Sequence, residues 1–334
     1  VEADAQRVDV SADLGDFFEF TDAELNFYKQ EVDAGFSGPG LSSLTDAEAH
    51  GGALTLPIGE RFSLRAKMDT RVQEQGVEVT AQEYNLGFQF NRHWDVRAGY
   101  RLDERIDSST IVALTQEQGE RADAVLQVGY DSLSTWKAYL FAQDTLEVTG
   151  DRQENSRAGI GGSYRLTETL RVDGEISNGD LGVAGKVGTS YTHSEQTSIY
   201  VNYALENERT DNALRSVRGS AGNLVAGIKS RLTDSTSVFL EERYQHNDTM
   251  TGLTHATGIN FVQNERWSFG INTDIGTLQD VVTGAETERV ATGVQLGYGS
   301  DAIQFSSAVE YRNDDVEQLD LGRNERKTWL FKNS

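Results

Sequence analysis

The stretch EYNLGFQFNRHWDVRAGYRLD (83–103) decides the fold class. Tyr84, Leu86, Phe88 and Phe90 alternate with Glu83, Asn85, Gly87, Gln89 and Asn91. After a polar turn, Trp94, Val96, Ala98, Tyr100 and Leu102 alternate with Asp95, Arg97, Gly99, Arg101 and Asp103. Successive side chains of a strand point to opposite faces, so each half reads as a strand with one apolar and one charged face. Two such runs around a short turn make an antiparallel hairpin.

Working outward, the same unit recurs along the whole chain. Short turns are expected at Gly15–Thr21, Ile58–Arg61, Asn91–His93, Asp131–Thr135, Thr167–Thr169, Ser194–Gln196, Thr233–Ser235, Gln263–Arg266 and Gly299–Asp301. Longer polar stretches fall between them, at Asp107–Arg121, Thr149–Asn155, Asn207–Arg218, Gly276–Glu288 and Asn313–Arg326. Alternating short and long connections are the signature of a barrel that crosses a membrane, with short turns on one side and loops on the other. The pattern predicts an all-β, antiparallel, up-and-down transmembrane β-barrel of about 18 strands, with a nineteenth beginning near Lys327. Residues 1–334 read as one domain: 1–47 form a weaker first hairpin and a long loop, and 48–334 a regular hairpin repeat.

Composition narrows the function classes. The 334 residues include 30 Lys+Arg and 53 Asp+Glu, a net charge of −23, which excludes nucleic-acid binding through a basic footprint. With no cysteine, disulfides, thiol catalysis and cysteine zinc sites are excluded. No apolar run reaches the ~18 residues of a spanning helix. A mean hydropathy of −0.51 suits a soluble protein, yet a transmembrane barrel is also half polar by count.

Three features favour the membrane reading of the alternation. Strands of about 10–14 residues, tilted by ~45°, are long enough to cross a bilayer core. Phe90, Tyr130, Tyr164, Tyr191, Phe261 and Tyr298 come just before short turns, and Trp94, Trp136 and Trp267 just after them, all on the apolar parity. Rings so placed form an interface girdle. Glycines such as Gly87, Gly99, Gly159, Gly188 and Gly270 punctuate the polar face, where they permit curvature. Two residues break the pattern. Glu242 shares the parity of Val238, Leu240 and Tyr244, to be resolved by a bulge or a place near the outer rim, and His255 also falls on the apolar parity, at headgroup level.

The polar parity supplies the candidate site. Arg65, Lys67, Asp95, Arg97, Arg101, Asp103, Arg171, Asp173, Glu175, Lys186, Lys229, Arg231, Glu241, Arg243, Glu310 and Arg312 would line a lumen. Mixed signs suit cross-strand pairs bracing a hydrated wall, and about 18 strands leave room for water. Catalytic chemistry is not indicated. His50, His93, His193, His246 and His255 have no zinc spacing, no G-x-S-x-G elbow occurs, and GVAGKVGTS (182–190) reads as a strand rather than a phosphate loop. His246 with Asp248 is the best enzyme candidate and lacks a geometric partner. The acidic stretches DERIDSST (103–110), DTLEVTGDRQEN (144–155), ENERTDN (206–212) and RNDDVEQLDLGRNE (312–325) lack calcium-loop spacing and read as solvated faces. No metal, cofactor or catalytic residue is therefore expected.

The strings LGDFFEF (14–20), AGFSGPG (34–40), VGYDSLSTWKAYLF (128–141), NYALENERTDNALR (202–215), LEERYQHND (240–248), TGLTHATGINF (251–261) and ERKTWLFKNS (325–334) carry a resemblance over nearly the whole chain. It resembles the C-terminal transmembrane barrel of large multidomain Gram-negative outer-membrane proteins. The resemblance implies a barrel behind β-rich surface domains, and no catalytic residues. The chain starts at Val1 and ends at Ser334 within an expected strand, so part of a wider barrel is an open alternative. The expected location is the Gram-negative outer membrane. The leading expectation is a porin-like passive channel for ions and small polar solutes, and the alternative is a non-transporting anchor for a cell-surface protein. A soluble β-rich binding protein is a third class. Expected partners are outer-membrane lipid, lipopolysaccharide, the barrel-insertion machinery and further parts of the same chain.

Overall fold

The computed structural model describes residues 5–16, 22–33, 37–38, 41–42, 46–73, 76–108, 118–208, 218–246, 250–263, 266–281, 283–300, 304–318 and 322–333. Within these the strands are β1 (Ala5–Asp13), β2 (Glu24–Val32), β3 (Ser37–Gly38), β4 (Leu41–Ser42), β5 (Ala47–Ile58), β6 (Phe62–Gln73) and β7 (Val77–Gln89). There follow β8 (Trp94–Asp107), β9 (Gly119–Asp131), β10 (Trp136–Val148), β11 (Arg157–Arg165), β12 (Leu170–Gly179), β13 (Gly182–Ser194) and β14 (Thr197–Glu208). The last are β15 (Arg218–Arg231), β16 (Thr236–His246), β17 (Met250–Gln263), β18 (Trp267–Asp280), β19 (Glu286–Gly299), β20 (Gln304–Gln318) and β21 (Gly322–Asn333). Nineteen are members of an antiparallel sheet, and β3 and β4 form a separate two-stranded one.

Two compact units divide the chain: Val1–Ser163, Glu175–Ala184 and Asn207–Arg218 in the first, Tyr164–Gly174, Gly185–Glu206 and Gly219–Ser334 in the second. In the first, each of β1, β2 and β5 to β10 pairs antiparallel with its neighbour in that order. In the second, β13 pairs with β14, and β15 to β21 form an unbroken antiparallel run.

Several of the short connections share one chemistry. A small polar side chain at the head of the turn accepts backbone N–H groups that no ladder can satisfy. The Asn91 Oδ1 accepts from His93 N at 2.8 Å and Trp94 N at 3.0 Å. Ser132 Oγ accepts from Trp136 N at 3.0 Å, Thr167 Oγ1 from Leu170 N at 3.0 Å, and Ser194 Oγ from Thr197 N at 3.1 Å. The turns expected at Gly15–Thr21, Gln263–Arg266 and Gly299–Asp301 lie partly outside the described residues, as do the stretches 107–121, 207–218 and 313–326, and Asp248 lies wholly outside them.

Two of the expected long connections are largely strand. β18 runs to Asp280 and β19 starts at Glu286, while β20 runs to Gln318 and β21 starts at Gly322 rather than near Lys327. Charge in these strand ends is held by partners: Arg289 Nε meets Asp314 Oδ1 at 2.7 Å, and Arg323 meets Asp315 at 2.6 Å and Glu288 at 3.0 Å. Polarity that looks like a loop is here a ladder flanked by ion pairs. Another connection is tight. β12 passes to β13 through Asp180 and Leu181 alone, with Gly182 at φ +92°, a left-handed value that costs glycine little.

Burial is inverted relative to a water-soluble domain. Among the described residues the buried hydrophobic ones are seven alanines and Val32, while Arg121 and Asp103 are the largest fully buried side chains. Large apolar residues stand exposed along one face, among them Leu126 (53%), Leu140 (61%), Val187, Ile259 and Ile271. A soluble sheet would place its leucines and isoleucines inside. A strand that points them outward and its charges inward is suited to lipid. Seven of the nine girdle aromatics are exposed, and Tyr130 and Tyr298 are wedged beside them, ring centroids 4.9 Å from Trp94 and 4.7 Å from Trp267.

Candidate functional site

The polar face of the first unit is built from charges set directly opposite one another. Lys67, Glu83, Arg101, Asp123 and Thr145 are successive cross-strand partners on β6, β7, β8, β9 and β10. One row on, Asp103 of β8 faces Arg121 of β9. Opposite charges at such spacing attract and fix register.

A neighbouring segment completes the cluster. Thr149–Asn155, expected as an outer loop, lies against this polar face. The Arg152 side chain is fully buried, its Nη2 2.9 Å from Asp103 Oδ1. Asp103 also accepts from Arg105 Nε at 3.0 Å and lies 3.5 Å from Arg101 Nη2. The segment is fixed at its far end too: Asn155 N donates to Thr145 Oγ1 at 2.8 Å, Thr145 Oγ1 donates to Asp123 Oδ1 at 2.7 Å, and Gln143 Nε2 donates to Asn155 O at 2.8 Å. Arg121 Nη1 donates to Gln153 O at 3.2 Å and its Nε to Asp123 Oδ2 at 2.9 Å. Buried charge is stable only when paired and hydrogen-bonded, and here each Asp serves several donors. A recess of about 210 Å³ opens beside the cluster, lined in part by Glu83, Arg101, Arg121, Asp123, Asn155 and Arg157.

The second unit builds its polar face by another rule, large opposite small. Glu241, Ala256, Asp274, Ala291 and Arg312 are successive partners across β16 to β20, and Phe239, Gly258, Asn272, Gly293 and Glu310 form the next row. The small residue lets a side chain reach the strand beyond. Gln295 Nε2 donates to Asn260 Oδ1 at 3.0 Å across Gly270. Tyr200 donates to Glu241, and a Cβ on the intervening Gly227 would lie 2.6 Å from the Tyr200 hydroxyl. The device recurs in the first unit, where Tyr28 donates to Asp69 at 2.8 Å over Gly51 and Tyr139 donates to Glu175.

The sequence-derived lumen residues fall as follows. Asp95 lies 3.0 Å from Arg97, Lys67 2.6 Å from Asp69, Glu241 2.5 Å from Arg243 and Glu310 3.0 Å from Arg312. These pairs are two residues apart on one strand, where the expectation was bracing across strands. Residues i and i+2 share a face some 6–7 Å apart, within reach of an Arg or Lys arm. Arg101 and Asp103 join the cluster of the first unit. Asp173 crowds Gly188 together with Asn202. Arg65, Arg171, Lys186, Lys229 and Arg231 are exposed, with Arg65 opposite Thr55 and Asn85 and Lys229 opposite Phe239.

No bulge interrupts β16 against β15 or β17; Glu242 faces His255 directly, with Oε2 2.5 Å from Nδ1, on the exposed apolar face. Sequence reasoning overlooked Arg105, Arg121, Asp123, Arg152 and Arg157. For Arg121 and Asp123 the alternation with Ala122 and Ala124 was a usable signal. Among the described residues no group of three His, Asp or Glu side chains converges as a metal site.

No family model and no curated protein matches this sequence. Solved structures do match its fold. The chain aligns with OccK2 (OpdF) of Pseudomonas aeruginosa at a TM-score of 0.52 and 9% identity, over 99% of this chain and 97% of that one. It aligns with FpvA of P. aeruginosa, solved with a heterologous iron-pyoverdine, at a TM-score of 0.52 and 10% identity, over 99% of this chain and 63% of that one. With the copper transporter OprC the TM-score is 0.51 and the identity 9%, over 98% of this chain and 69% of that one. The chain thus spans less than two thirds of FpvA. These likenesses speak to architecture, and the fold is that of the outer-membrane β-barrels.

Proposed function

We propose that the chain works in the Gram-negative outer membrane as a porin-like passive channel for ions and small polar solutes. The observation that carries this reading is the inverted burial: leucines, isoleucines and aromatics exposed on one face, arginines and aspartates enclosed on the other. Lipid and lipopolysaccharide would meet the apolar face, and hydrated solutes the polar one. Transport needs no chemical step, only a wet wall whose fixed charges bias passage. The sixteen lumen candidates, together with Arg105, Arg121, Asp123, Arg152 and Arg157, would supply those charges. The resemblance carried by residues 14–20, 128–141 and 251–261 supports reading the chain as the barrel portion of a longer surface protein, delivered by the barrel-insertion machinery.

The test is conductance of the detergent-folded chain in a planar bilayer, after circular dichroism has verified its β content. Discrete openings that scale with salt are expected. Silence from a fully folded chain contradicts the channel and leaves the anchor reading.

A further inference from the structure

Strand β10 departs from the usual placement of rings. Ala138, Leu140 and Ala142 stand opposite the apolar-face residues Tyr130, Val128 and Leu126. Tyr139 and Phe141 therefore take the polar face, in line with Lys137 and Gln143. Both rings lean across β11. A Cβ on Gly159 would lie 2.5 Å from the Phe141 ring, and one on Gly161 would meet Tyr139. The two ring centroids are 6.4 Å apart, with planes 33° from parallel, so the rings stand side by side. Both residues are half-buried, and each keeps part of its surface open. Passing hydrated ions calls for charge and water, and two adjacent rings supply neither. Polar groups frame them. Gln127 is the cross-strand partner of Phe141, and Arg97 is next in that row. The Tyr139 hydroxyl donates to Glu175, which fixes its ring. Two residues on from Phe141, Gln143 lines the recess of about 210 Å³ together with Asn155 and Arg157.

From this we infer that Tyr139 and Phe141 form the floor of a solute site on the polar face of β10 and β11 that takes neutral pyranose saccharides. The inference rests on the channel reading above and names its solute class. A pyranose with equatorial hydroxyls has an apolar C–H face and a polar rim. The C–H face matches the negative face of an aromatic ring, and contact between them removes apolar surface from water. The rim hydroxyls both donate and accept. Beside the rings, the Gln127 amide offers both roles, the Arg97 guanidinium donates and the Glu175 carboxylate accepts. Aromatic surface with a few placed polar groups is the general make-up of a small-molecule site. Stacking also attracts a solute that carries no charge, and does so weakly enough for release, as conduction requires.

The experiment is the ion current of the full chain in a planar bilayer, titrated with cellobiose and, separately, with mannitol. Mannitol is an open-chain polyol, with the hydroxyls but no ring face. Cellobiose should reduce the current at concentrations where mannitol does not. Phe141→Leu keeps apolar bulk over Gly159 and removes the ring. It should raise the half-blocking cellobiose concentration about fivefold. Phe141→Tyr keeps the ring and should retain the block. Equal effects of cellobiose and mannitol overturn this inference and leave the channel standing, and that comparison needs no variant. So does a half-blocking concentration unmoved by the leucine change. A folded chain that carries no current overturns both readings.

Discussion

The polar faces of the two units reach the same end by different means. In the first, β6 to β9 oppose charge to charge, and Asp103 alone lies within 3.5 Å of three guanidiniums, those of Arg101, Arg105 and Arg152. In the second, β16 to β20 oppose large to small, so that Glu241, Asp274 and Arg312 alternate with alanines. The first solution encloses its charges in ion pairs along each strand and with Arg152 of the 149–155 segment. In the second, room beside each long side chain lets hydrogen bonds skip a strand, as Gln295 to Asn260 does. The comparison teaches that polarity alone does not specify how a polar sheet face is built. Its character depends on what stands opposite each charge, which only register reveals.

The contrast breaks most readily at its most connected carboxylate. Asp103→Asn removes the charge shared by three arginines and should cost about 3–5 kcal/mol of unfolding free energy in a denaturant titration in lipid. Asp274→Asn, between Ala256 and Ala291, should cost less than about 1 kcal/mol. Equal losses would erase the distinction between the walls.

On the apolar face the two units should behave alike. Leu126→Arg in the first and Ile271→Arg in the second place a charge on outward positions, 53% and 52% exposed. Each should destabilise the lipid-embedded protein by about 2–4 kcal/mol, measured in the same titration. A water-facing surface would tolerate both changes.

The large-against-small rule is sharpened by Gly227→Val, which puts a side chain where the Tyr200 hydroxyl passes on its way to Glu241. A loss of about 1–3 kcal/mol is expected. Smallest is Thr145→Val, which removes the hydroxyl joining Asp123 to Asn155 N. About 1 kcal/mol should be lost, with faster protease cleavage of the 149–156 segment as the specific readout.

Much of this fold could be read in the sequence, because a strand that is lipid-facing on one side and wet on the other must alternate with period two. The hairpin at 83–103 and the girdle rings at Trp94, Trp136 and Trp267 follow from that period. Other features do not obey it. The charged ends of β18 to β21 look like loops, since charge is common in both loops and paired strands that leave the lipid band. Arg152 belongs to a polar, glycine-containing stretch whose composition says nothing about folding inward; its place is set by Asp103, some fifty residues earlier in the chain. Arg121 falls at the end of the stretch 107–121 whose polarity suits a loop, and Asp123 lies just beyond it. Glu242 and His255 satisfy one another across β16 and β17, and sequence spacing alone does not show the register that sets them opposite.

The central claim is that the exposed apolar face meets lipid, and the tryptophans report on it directly. All four, Trp94, Trp136, Trp267 and Trp329, lie on that face, 45%, 41%, 39% and 62% exposed. Their fluorescence can be measured in bilayers whose acyl chains carry bromine, and again with iodide in the water. Strong quenching by the brominated lipid with weak quenching by iodide is the predicted result. Strong iodide quenching, with no response to the brominated chains, would place the apolar face in water and contradict the account.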